Sequence, residues 1–371
     1  MSNAVAGRFF VPGPTEVRAE ILAAMTGPMI PHRSKAFESL FGTLQVGLRA
    51  VFGTSRTVIV STSSATGMME GAVRCAPPGA VLALVNGAFS TRFGDIAAAC
   101  GRETQLIQAP LGAVVPLEQI EAALAARPFA AVLVVHSETS TGARSDIRAV
   151  TDLARRYGAL CLVDSVSGIG GIPLTFDEWD LDFVLTGSQK ALALPPGLAF
   201  AVASERYLQH AATNPSRGRY LDIAELQGFA ERNQTPATPA LSLMYALEAQ
   251  LETIRAEGMT ARWDRHAAMA AVMAEWVAGA KARCGHALGI LAGEHCRSET
   301  VTAVLLPEYL KGPEVVAAVA TKGYTLGEGY GSSRARTVRV GHMGDHTPEG
   351  LSNFLAVVDQ ALAEVAQHNR G

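Results

Sequence analysis

Short, almost entirely apolar runs alternate with amphipathic stretches through the first half of this chain. Residues 81–85 (VLALV), 130–135 (AAVLVV) and 159–163 (ALCLV) have the length and composition of strands that are buried on both faces. Residues 117–126 and 147–157, which lie between such runs, repeat apolar residues at helical spacing. A strand, helix, strand order repeated over about 150 residues predicts an α/β fold, with a largely parallel sheet and helices on both faces.

Two of the predicted strands end close to a single ionisable residue. Residues 182–190 (DFVLTGSQK) run from an apolar segment through small polar residues to Lys190, and residues 159–164 end at Asp164. Burial among apolar groups lowers the pKa of a lysine, which makes its amine a better nucleophile toward a carbonyl carbon. A buried carboxylate requires a cationic partner, and a protonated pyridine nitrogen supplies one. Lys190 alone is more typical of an exposed loop, but the pair predicts a pyridoxal phosphate site.

Two strings around these residues carry a family resemblance. VDSVSGIGG (163–171) and TGSQKALALPPG (186–197) resemble class V aminotransferases of pyridoxal phosphate fold type I, especially the alanine-glyoxylate and serine-pyruvate (or serine-glyoxylate) group. The resemblance extends from FVPGPTEV near residue 10 to VRVGHMG near residue 340. It implies a mostly parallel central sheet between helices, a smaller α+β C-terminal domain, and catalytic roles for Lys190 and Asp164.

The length and composition allow more than one domain. The 371 residues are 49% hydrophobic, which suffices for one large core and a smaller second core. Gly258 separates two long helical stretches and is the predicted hinge. We expect an N-terminal arm (1–15), a large cofactor-binding domain (16–258) and a small C-terminal domain (259–371).

Charge and cysteine usage restrict the function further. A net charge of -3 without any cluster of Lys and Arg argues against a nucleic-acid partner or an anionic membrane surface. The five cysteines are widely spaced and form no C-x-x-C pattern, so neither a disulfide framework nor a zinc site is expected. No secretory signal pattern is recognisable near Met1, and no apolar stretch approaches a membrane span. We therefore expect a soluble cytoplasmic enzyme that acts on small molecules.

A serine-rich turn, SSATG (63–67), precedes a helix that we predict to begin near Met68. The free amides of a helix N-terminus bind phosphate well, although such a turn is more often only a helix cap. The resemblance assigns Ser64, Ala65 and Thr66 to the cofactor phosphate. Many related enzymes have glycine where this chain has Ala65, so a positive φ there would be costly.

The resemblance also assigns residues around the cofactor ring. The NGAF string (86–89) implies that Phe89 covers one face of the ring and Val166 the other, whereas an aromatic residue beside a strand end is usually a core residue. HSETSTG (136–142) resembles an HxExSTG pattern in which Thr139 binds the phenolic oxygen. Gln189, which precedes the lysine, is likewise assigned to the cofactor. Glu138 is equally typical of a buried acid that accepts hydrogen bonds from loop amides.

A TPATP segment (235–239) precedes the predicted helix at residues 241–257. The resemblance implies a homodimer in which this segment crosses the interface and a threonine donates to the neighbouring phosphate. Thr238 matches the family position better than Thr235. Capping of the following helix is an equally plausible role for either residue.

Substrate contacts are expected from three separate strings. Arg339 lies in a mostly apolar predicted strand, where an arginine is typical of bidentate carboxylate recognition, and the resemblance makes it the clamp for the α-carboxylate. His342, nearby, is expected to be structural. The resemblance implies that Gly13 in FVPGPTEV helps to hold the substrate. It also implies that Arg33 in the HRS string (32–34) reaches the site of a neighbouring subunit as a second cationic candidate, although an exposed His-Arg pair is more often solvated surface.

With Arg339 as the one clear carboxylate clamp, we predict a small neutral amino donor, serine or alanine, and glyoxylate or pyruvate as acceptor, in a ping-pong reaction. Phosphoserine-like or phosphonate donors are the alternative, because Arg33 is a second cation that could bind a distal anionic group. A desulfurase or lyase needs a reactive cysteine ahead of the arginine strand; residues 327–336 (GEGYGSSRAR) contain none, and Cys296 is a remote candidate. A cofactor-binding protein without turnover is a further alternative, which the presence of Lys190 and Asp164 disfavours.

Overall fold

Two β-sheets organise the chain, and helices pack on their faces. The computed structural model describes residues 8–369. The strands are β1 Phe9–Phe10, β2 Ile59–Ser61, β3 Val81–Val85, β4 Thr104–Gln108, β5 Ala131–Val135, β6 Ser137–Glu138, β7 Ala143–Arg144, β8 Leu160–Asp164, β9 Phe183–Gly187, β10 Ala199–Ala203, β11 Gly289–Ile290, β12 Val301–Leu305, β13 Thr325–Glu328 and β14 Thr337–Gly341. The helices are α1 Ala19–Ala24, α2 Lys35–Phe52, α3 Ala65–Cys75, α4 Ala88–Ala99, α5 Leu117–Ala126, α6 Ile147–Arg156, α7 Glu205–Thr213, α8 Ile223–Ala230, α9 Leu241–Glu257, α10 Met259–Cys284, α11 Gly312–Thr321 and α12 Pro348–His368.

The larger sheet has seven strands in the order β2-β10-β9-β8-β5-β3-β4. The pairs from β9 through β8, β5 and β3 to β4 are parallel, while β10 runs antiparallel to both of its neighbours. The prediction of a mostly parallel sheet is therefore confirmed. The register aligns Asp164 with Val135 and Leu185, so the carboxyl ends of these strands lie at one edge. Open α/β sheets bind ligands at this edge.

Each face of the larger sheet is buried under its own helices. Successive residues of a strand point to opposite faces, so β3 contributes Leu82 and Leu84 to one core and Val81 and Ala83 to the other. Helices α2, α5, α6 and α9 cover the first core, and α3, α4, α7 and α8 cover the second. This two-sided burial is the reason that the strands are continuous apolar runs rather than alternating ones.

The smaller sheet has the order β1-β13-β14-β12-β11 and packs against α10, α11 and α12. Its edge strand β1 comes from the N-terminal segment and pairs in parallel with β13, with Phe10 opposite Leu326. Residues 1–7 of the predicted arm lie outside the described residues. Gly258, at φ 81°, ends α9 and begins α10. The domain boundary at Gly258 stays a prediction, and the presence of two separate sheets supports it.

Several bounds differ from the predicted ones. Helix α3 begins at Ala65, three residues before the predicted start at Met68, because the Ser64 side chain caps it by accepting from Gly67 N at 3.4 Å. Helices α7, α8 and α12 were not predicted. Within residues 8–369, no helix combines the length and apolar character that crossing a bilayer requires.

Candidate active site

A pocket of about 80 Å³ lies at the carboxyl edge of the larger sheet. The cofactor-binding residues predicted from the first 190 residues all line it: Ser64, Ala65, Thr66, Phe89, Thr139, Asp164, Val166, Gln189 and Lys190. They come from separate parts of the chain, and each follows a strand or begins a helix. The structure thus brings together residues that are up to about 125 positions apart, as a parallel sheet does with its loops.

Lys190 lines this pocket and is only 8% exposed. Burial lowers its pKa to about 8, and the positive charge of Arg339 contributes to that decrease. Its Nζ donates to the carbonyl oxygen of Pro12. The N-terminal arm comes so close that a Cβ on Gly13, which has φ +103°, would lie 2.5 Å from Lys190 Cδ. Glycine is therefore required at position 13 by both conformation and space.

Asp164 ends β8 and is 2% exposed. Burial raises its pKa to about 7, and the nearby carboxylate of Glu138 contributes to the increase. The amide of Val166 donates to Asp164 Oδ1 at 2.8 Å, which opposes that increase only in part. The charge of Asp164 is thus incompletely compensated within the described chain. A cationic ring nitrogen is the kind of partner that this carboxylate lacks.

The N-terminus of α3 supplies the anion-binding end of the pocket. Ser64, Ala65 and Thr66 lie at its first turn, where amide donors and the helix dipole favour an anion. Among the described residues, positive φ at non-glycine positions occurs at Asp180, Ala193 and Asn233. Ala65 therefore has an ordinary helical conformation, and the cost that a positive φ would have imposed does not arise.

Glu138 positions the start of α4 and with it Phe89. Its carboxylate, fully buried, accepts from Phe89 N at 3.1 Å, Ser90 N at 2.9 Å and Ser140 Oγ at 2.6 Å. The structure therefore shows Glu138 in the role of a buried acid bonded to loop amides. Next to it in the chain, Thr139 Oγ1 is hydrogen-bonded to Ser167 Oγ at 2.6 Å.

Arg339, in β14, is held by main-chain acceptors beside the pocket. Its Nε donates to Glu328 O at 2.7 Å and its Nη1 to Thr139 O at 3.2 Å. Its guanidinium carbon lies 5.4 Å from the ring centroid of Tyr330, whose ring is 5.7 Å from that of Phe89. Burial lowers the pKa of Arg339. Fixed in this way, the guanidinium is available for an incoming carboxylate.

His342 has the structural surroundings expected for it. It is fully buried, and its Nε2 is hydrogen-bonded to Thr302 Oγ1 at 2.9 Å. Burial lowers its pKa to about 3, so the ring is neutral near pH 7.

Besides Gly13 and Arg339, which border the pocket, three further predicted residues lie outside the pocket of their own chain. Thr235 and Thr238 line a separate depression beside Ser61 and Thr62. Arg33 Nη1 donates to Thr235 O at 2.6 Å, which joins the HRS loop to the TPATP segment. The structure therefore groups these three residues with one another and not with Lys190.

Arg92 is a pocket residue that sequence reasoning missed. It lines the pocket, and its guanidinium carbon lies 5.0 Å from the ring centroid of Phe89. Burial has the largest effect on both neighbouring groups and raises the pKa of Asp164 while it lowers that of Lys190. The positive charge of Arg92 makes a smaller contribution, which lowers both pKa values. The available signal was its position three residues after Phe89, which places both on one face of α4.

Arg262 was missed as well, although it connects the loops that follow Asp164, Lys190 and Arg339. It is fully buried in α10 and donates from Nε to Gly170 O at 3.0 Å and from Nη2 to Ala191 O at 2.7 Å. It also pairs with Asp345 at 3.2 Å and Glu257 at 2.8 Å. The loops after Asp164, Lys190 and Arg339 thus share one guanidinium. Nothing local in the sequence of α10 distinguishes this arginine from a surface one.

These groups fit pyridoxal phosphate. A buried amine of lowered pKa, an undercompensated carboxylate and a helix N-terminus occupy one pocket, with Phe89 and Val166 as apolar walls. The fold and the pocket together define a pyridoxal phosphate enzyme of fold type I.

Comparison with known proteins identifies the family. The family model described as aminotransferase class V matches residues 20–287, and the chain belongs to that family. It is 33% identical to the L-aspartate-glyoxylate aminotransferase of Paracoccus denitrificans, over 96% of this chain and 91% of that protein. It is also 33% identical to the serine-glyoxylate aminotransferase of Methylorubrum extorquens, over 96% and 90%. The crystal structure of the alanine-glyoxylate aminotransferase from Nostoc sp. superposes with a TM-score of 0.89 at 30% identity, covering 98% and 97% of the two chains. The chain is therefore a pyridoxal phosphate-dependent aminotransferase.

Proposed function

We propose that this enzyme transfers the amino group of a small neutral amino acid, serine or alanine, to glyoxylate or pyruvate by a ping-pong mechanism. The observation that carries the proposal is the grouping of Lys190 and Asp164 in one pocket, with Arg339 fixed beside it. Relatives of about one-third identity that are named serine-glyoxylate and alanine-glyoxylate aminotransferases support the choice of substrates.

Lys190 and Asp164 perform the proposed proton chemistry. Bound pyridoxal phosphate supplies an electron sink for the negative charge that develops at the donor α-carbon. Lys190 Nζ would hold the cofactor covalently and, as a free amine, would accept the α-proton and return it, an effect worth about 100- to 10,000-fold in rate. Its lowered pKa makes the neutral amine accessible near physiological pH. The Asp164 carboxylate holds the proton on the ring nitrogen.

The remaining site residues bind and orient the cofactor and the substrate. Phe89 and Val166 confine the ring between apolar surfaces, and Thr139 binds its phenolic oxygen. The first turn of α3, with Ser64, Ala65 and Thr66, binds the phosphate, and Gln189 supports the cofactor beside the lysine. Arg339 clamps the α-carboxylate of the substrate while Gly13 borders it.

The proposal includes a homodimer with shared active sites in the cytoplasm. The adjacency of Arg33 to the TPATP segment supports a common surface that reaches a neighbouring subunit. In such a dimer Thr238, or else Thr235, donates to the partner's cofactor phosphate. The cysteines among the described residues are all free, as expected in a reducing compartment.

A panel of amino donors tests the proposed substrates. Loss of the absorbance band of the bound cofactor reports the first half-reaction with each donor. Arg339→Ala should raise KM for every donor, because each has an α-carboxylate. Arg33→Ala should leave serine and alanine nearly unchanged. A strong preference of the wild type for a dianionic donor, lost in Arg33→Ala, would contradict the small neutral donor and favour the phosphoserine-like alternative.

Arg92 favours aspartate as a second candidate donor. Its guanidinium lines the cofactor pocket, so a second cation is present where a distal carboxylate could reach it. A relative named L-aspartate-glyoxylate aminotransferase agrees with this candidate. If aspartate is the donor, Arg92→Gln should raise its KM more than that of serine. Equal effects on both donors would exclude this role for Arg92.

The desulfurase alternative receives no support from the placement of Cys296. Its thiol is buried outside the cofactor pocket and contacts Gly112 O at 3.6 Å. Burial raises its pKa, which disfavours the thiolate that such chemistry requires.

A further inference from the structure

A cavity of about 640 Å³ lies apart from the cofactor pocket and is far larger. It is bordered by α5, α6 and residues from 172–179, and by His295 and Cys296, which lie between strands β11 and β12 of the smaller sheet. Its volume is in the range of small-molecule sites, which is about 300–1,000 Å³. None of the catalytic residues proposed above contributes to its lining.

Only one strand end separates this cavity from the cofactor pocket. Val135 and Ser137 line the cofactor pocket, while His136 between them lines the cavity, as the alternation of side chains along an extended segment requires. The amide of His136 donates to Asp164 O at 2.8 Å. His136, which lines the cavity, is therefore hydrogen-bonded through its main chain to β8, the strand that ends in Asp164.

His136 offers a polar atom to the cavity. The ring is 3% exposed, and its Nδ1 is hydrogen-bonded to Ser165 Oγ at 2.9 Å. Its Nε2 forms no hydrogen bond within residues 8–369. Burial lowers its pKa to about 3, so the ring presents a neutral nitrogen. Nε2 retains some solvent accessibility, so a ligand or a water molecule in the cavity can donate a hydrogen bond to it.

The walls combine apolar surface with two opposite charges. The apolar part comes from Leu117, Ile147, Val150, Ile172 and Trp179. Arg144, the last residue of β7, and Asp146, the N-cap of α6, lie two residues apart and both line the cavity. Arg144 uses Nη1 in an ion pair with Glu299, and Asp146 uses Oδ1 to cap α6 at 3.0 Å from Ala149 N. Nη2 of Arg144 and Oδ2 of Asp146 have no other partner in the described part of the chain.

We propose that this cavity is a second, non-catalytic site that binds an α-amino acid with a bulky apolar side chain. Arg144 receives the carboxylate, Asp146 receives the ammonium group, and the side chain packs against Trp179 and the aliphatic wall. A zwitterion matches the paired charges, which neither a simple anion nor a simple cation does. The ligand also reaches His136, whose Ser165 partner directly follows Asp164.

Trp179 provides the readout. Titration of the holoenzyme with L-phenylalanine, followed by tryptophan fluorescence, should give a saturable change that the Trp179→Phe variant loses. Phenethylamine and 3-phenylpropionate each lack one of the two charged groups. Both should bind the wild type about tenfold more weakly or worse, since a charge-assisted hydrogen bond is lost.

Charge variants locate the site. Arg144→Gln and Asp146→Asn should each weaken L-phenylalanine binding about tenfold. Asn keeps the oxygen that caps α6, so the helix is retained. Arg148→Gln, on the same helix but exposed and outside the cavity lining, is the matched control and should bind as the wild type does. The absence of a saturable signal, equal affinity for the two analogues and L-phenylalanine, or unchanged affinity in Arg144→Gln and Asp146→Asn would overturn the proposal.

Discussion

At the scale of single residues, burial shifts the pKa values of the two proposed catalytic groups, Lys190 and Asp164, in opposite directions. It lowers the pKa of Lys190 to about 8 and raises that of Asp164 to about 7, because the charged form of each group loses hydration. Both pKa values thus lie closer to neutrality than the ordinary values of these side chains. Asp164 regains its charge when a cation is placed beside it, which is the role proposed for the cofactor nitrogen.

The lowered pKa of Lys190 predicts the pH dependence of cofactor attachment. Only the neutral amine reacts, so attachment of pyridoxal phosphate to the apoenzyme should rise with pH through a midpoint near 8, not near the usual ~10.4. Arg339→Gln removes a positive charge, which raises the pKa of Lys190 and moves the midpoint to higher pH. The exposed Arg255→Gln should leave it unchanged. Stopped-flow absorbance measures the midpoint, and the same midpoint in the wild type and in Arg339→Gln would refute this electrostatic coupling.

Asp164→Asn should retain the cofactor but slow both half-reactions. An amide cannot hold the ring nitrogen protonated, and the loss of a hydrogen bond to a charged group corresponds to about 10- to 100-fold in rate. Single-turnover measurements with donor and with acceptor report the two halves separately. Rates close to those of the wild type would count against the role of Asp164.

Residue roles could be predicted where the signal is local. A lone Lys190 and a lone Asp164, each following an apolar run, were recognisable without a structure. Arg262 was not, because what distinguishes it is burial against segments that are distant in sequence. Arg92 is only half-buried and was missed although its spacing from Phe89 is a local signal. Arg262 contacts Gly170 and Ala191, which are 92 and 71 residues away.

At the scale of elements, strands buried on both faces were the most predictable features. Apolar runs as short as those of β3 and β8 are typical of such strands, and both occur within a residue of the predicted bounds. Helices α7 and α8 have 9 and 8 residues and are stabilised by packing, with Tyr207 and Ile223 buried in the core that α3 shares. Such non-local stabilisation has no periodic signature over so short a length.

Helix α12 was missed although its sequence contains the usual signals of a helix start. Its start carries local signals, since Thr347 Oγ1 accepts from Gly350 N at 3.1 Å and Pro348 occupies the first turn. Its apolar face is buried against α10 and α11. These are ordinary start signals, so this helix was predictable from the sequence.

Arg262 predicts a coupling between the helix α10 and the catalytic loops. Arg262→Met should destabilise the protein by about 3–5 kcal/mol, because Asp345 and several carbonyl oxygens lose a buried cation. Arg262→Lys should recover part of this loss. Urea unfolding measures the difference, with the exposed Arg255→Met as a control that should change by no more than about 0.5 kcal/mol. Similar unfolding of Arg262→Met and Arg255→Met would contradict the network.

At the scale of the whole molecule, the sheet order depends on contacts that sequence patterns do not reveal. Strand β1 pairs with β13, which lies near the other end of the chain, and contributes Phe10 to the core of the smaller sheet. The same segment then brings Gly13 against Lys190. The alternation of strands and helices predicted the parallel sheet, but not that the N-terminal segment connects the smaller sheet to the catalytic lysine.

The proposed homodimer predicts that activity depends on assembly. Sedimentation of the holoenzyme should give a dimer, because Arg33, Thr235 and Thr238 lie outside the pocket of their own chain. Thr238→Ala should weaken cofactor binding more than Thr235→Ala does. A monomer that is active and loaded with pyridoxal phosphate would rule out shared active sites.

The central claim is that Lys190 carries pyridoxal phosphate in a class V aminotransferase site. Borohydride reduction of the holoenzyme, followed by peptide mapping, tests it most directly, with Lys190→Ala as the variant that leaves the fold nearly intact. We expect a stable pyridoxyl label on Lys190 in the wild type and no lysine label in the variant. A label on any other lysine, or a labelled Lys190→Ala protein, would contradict it.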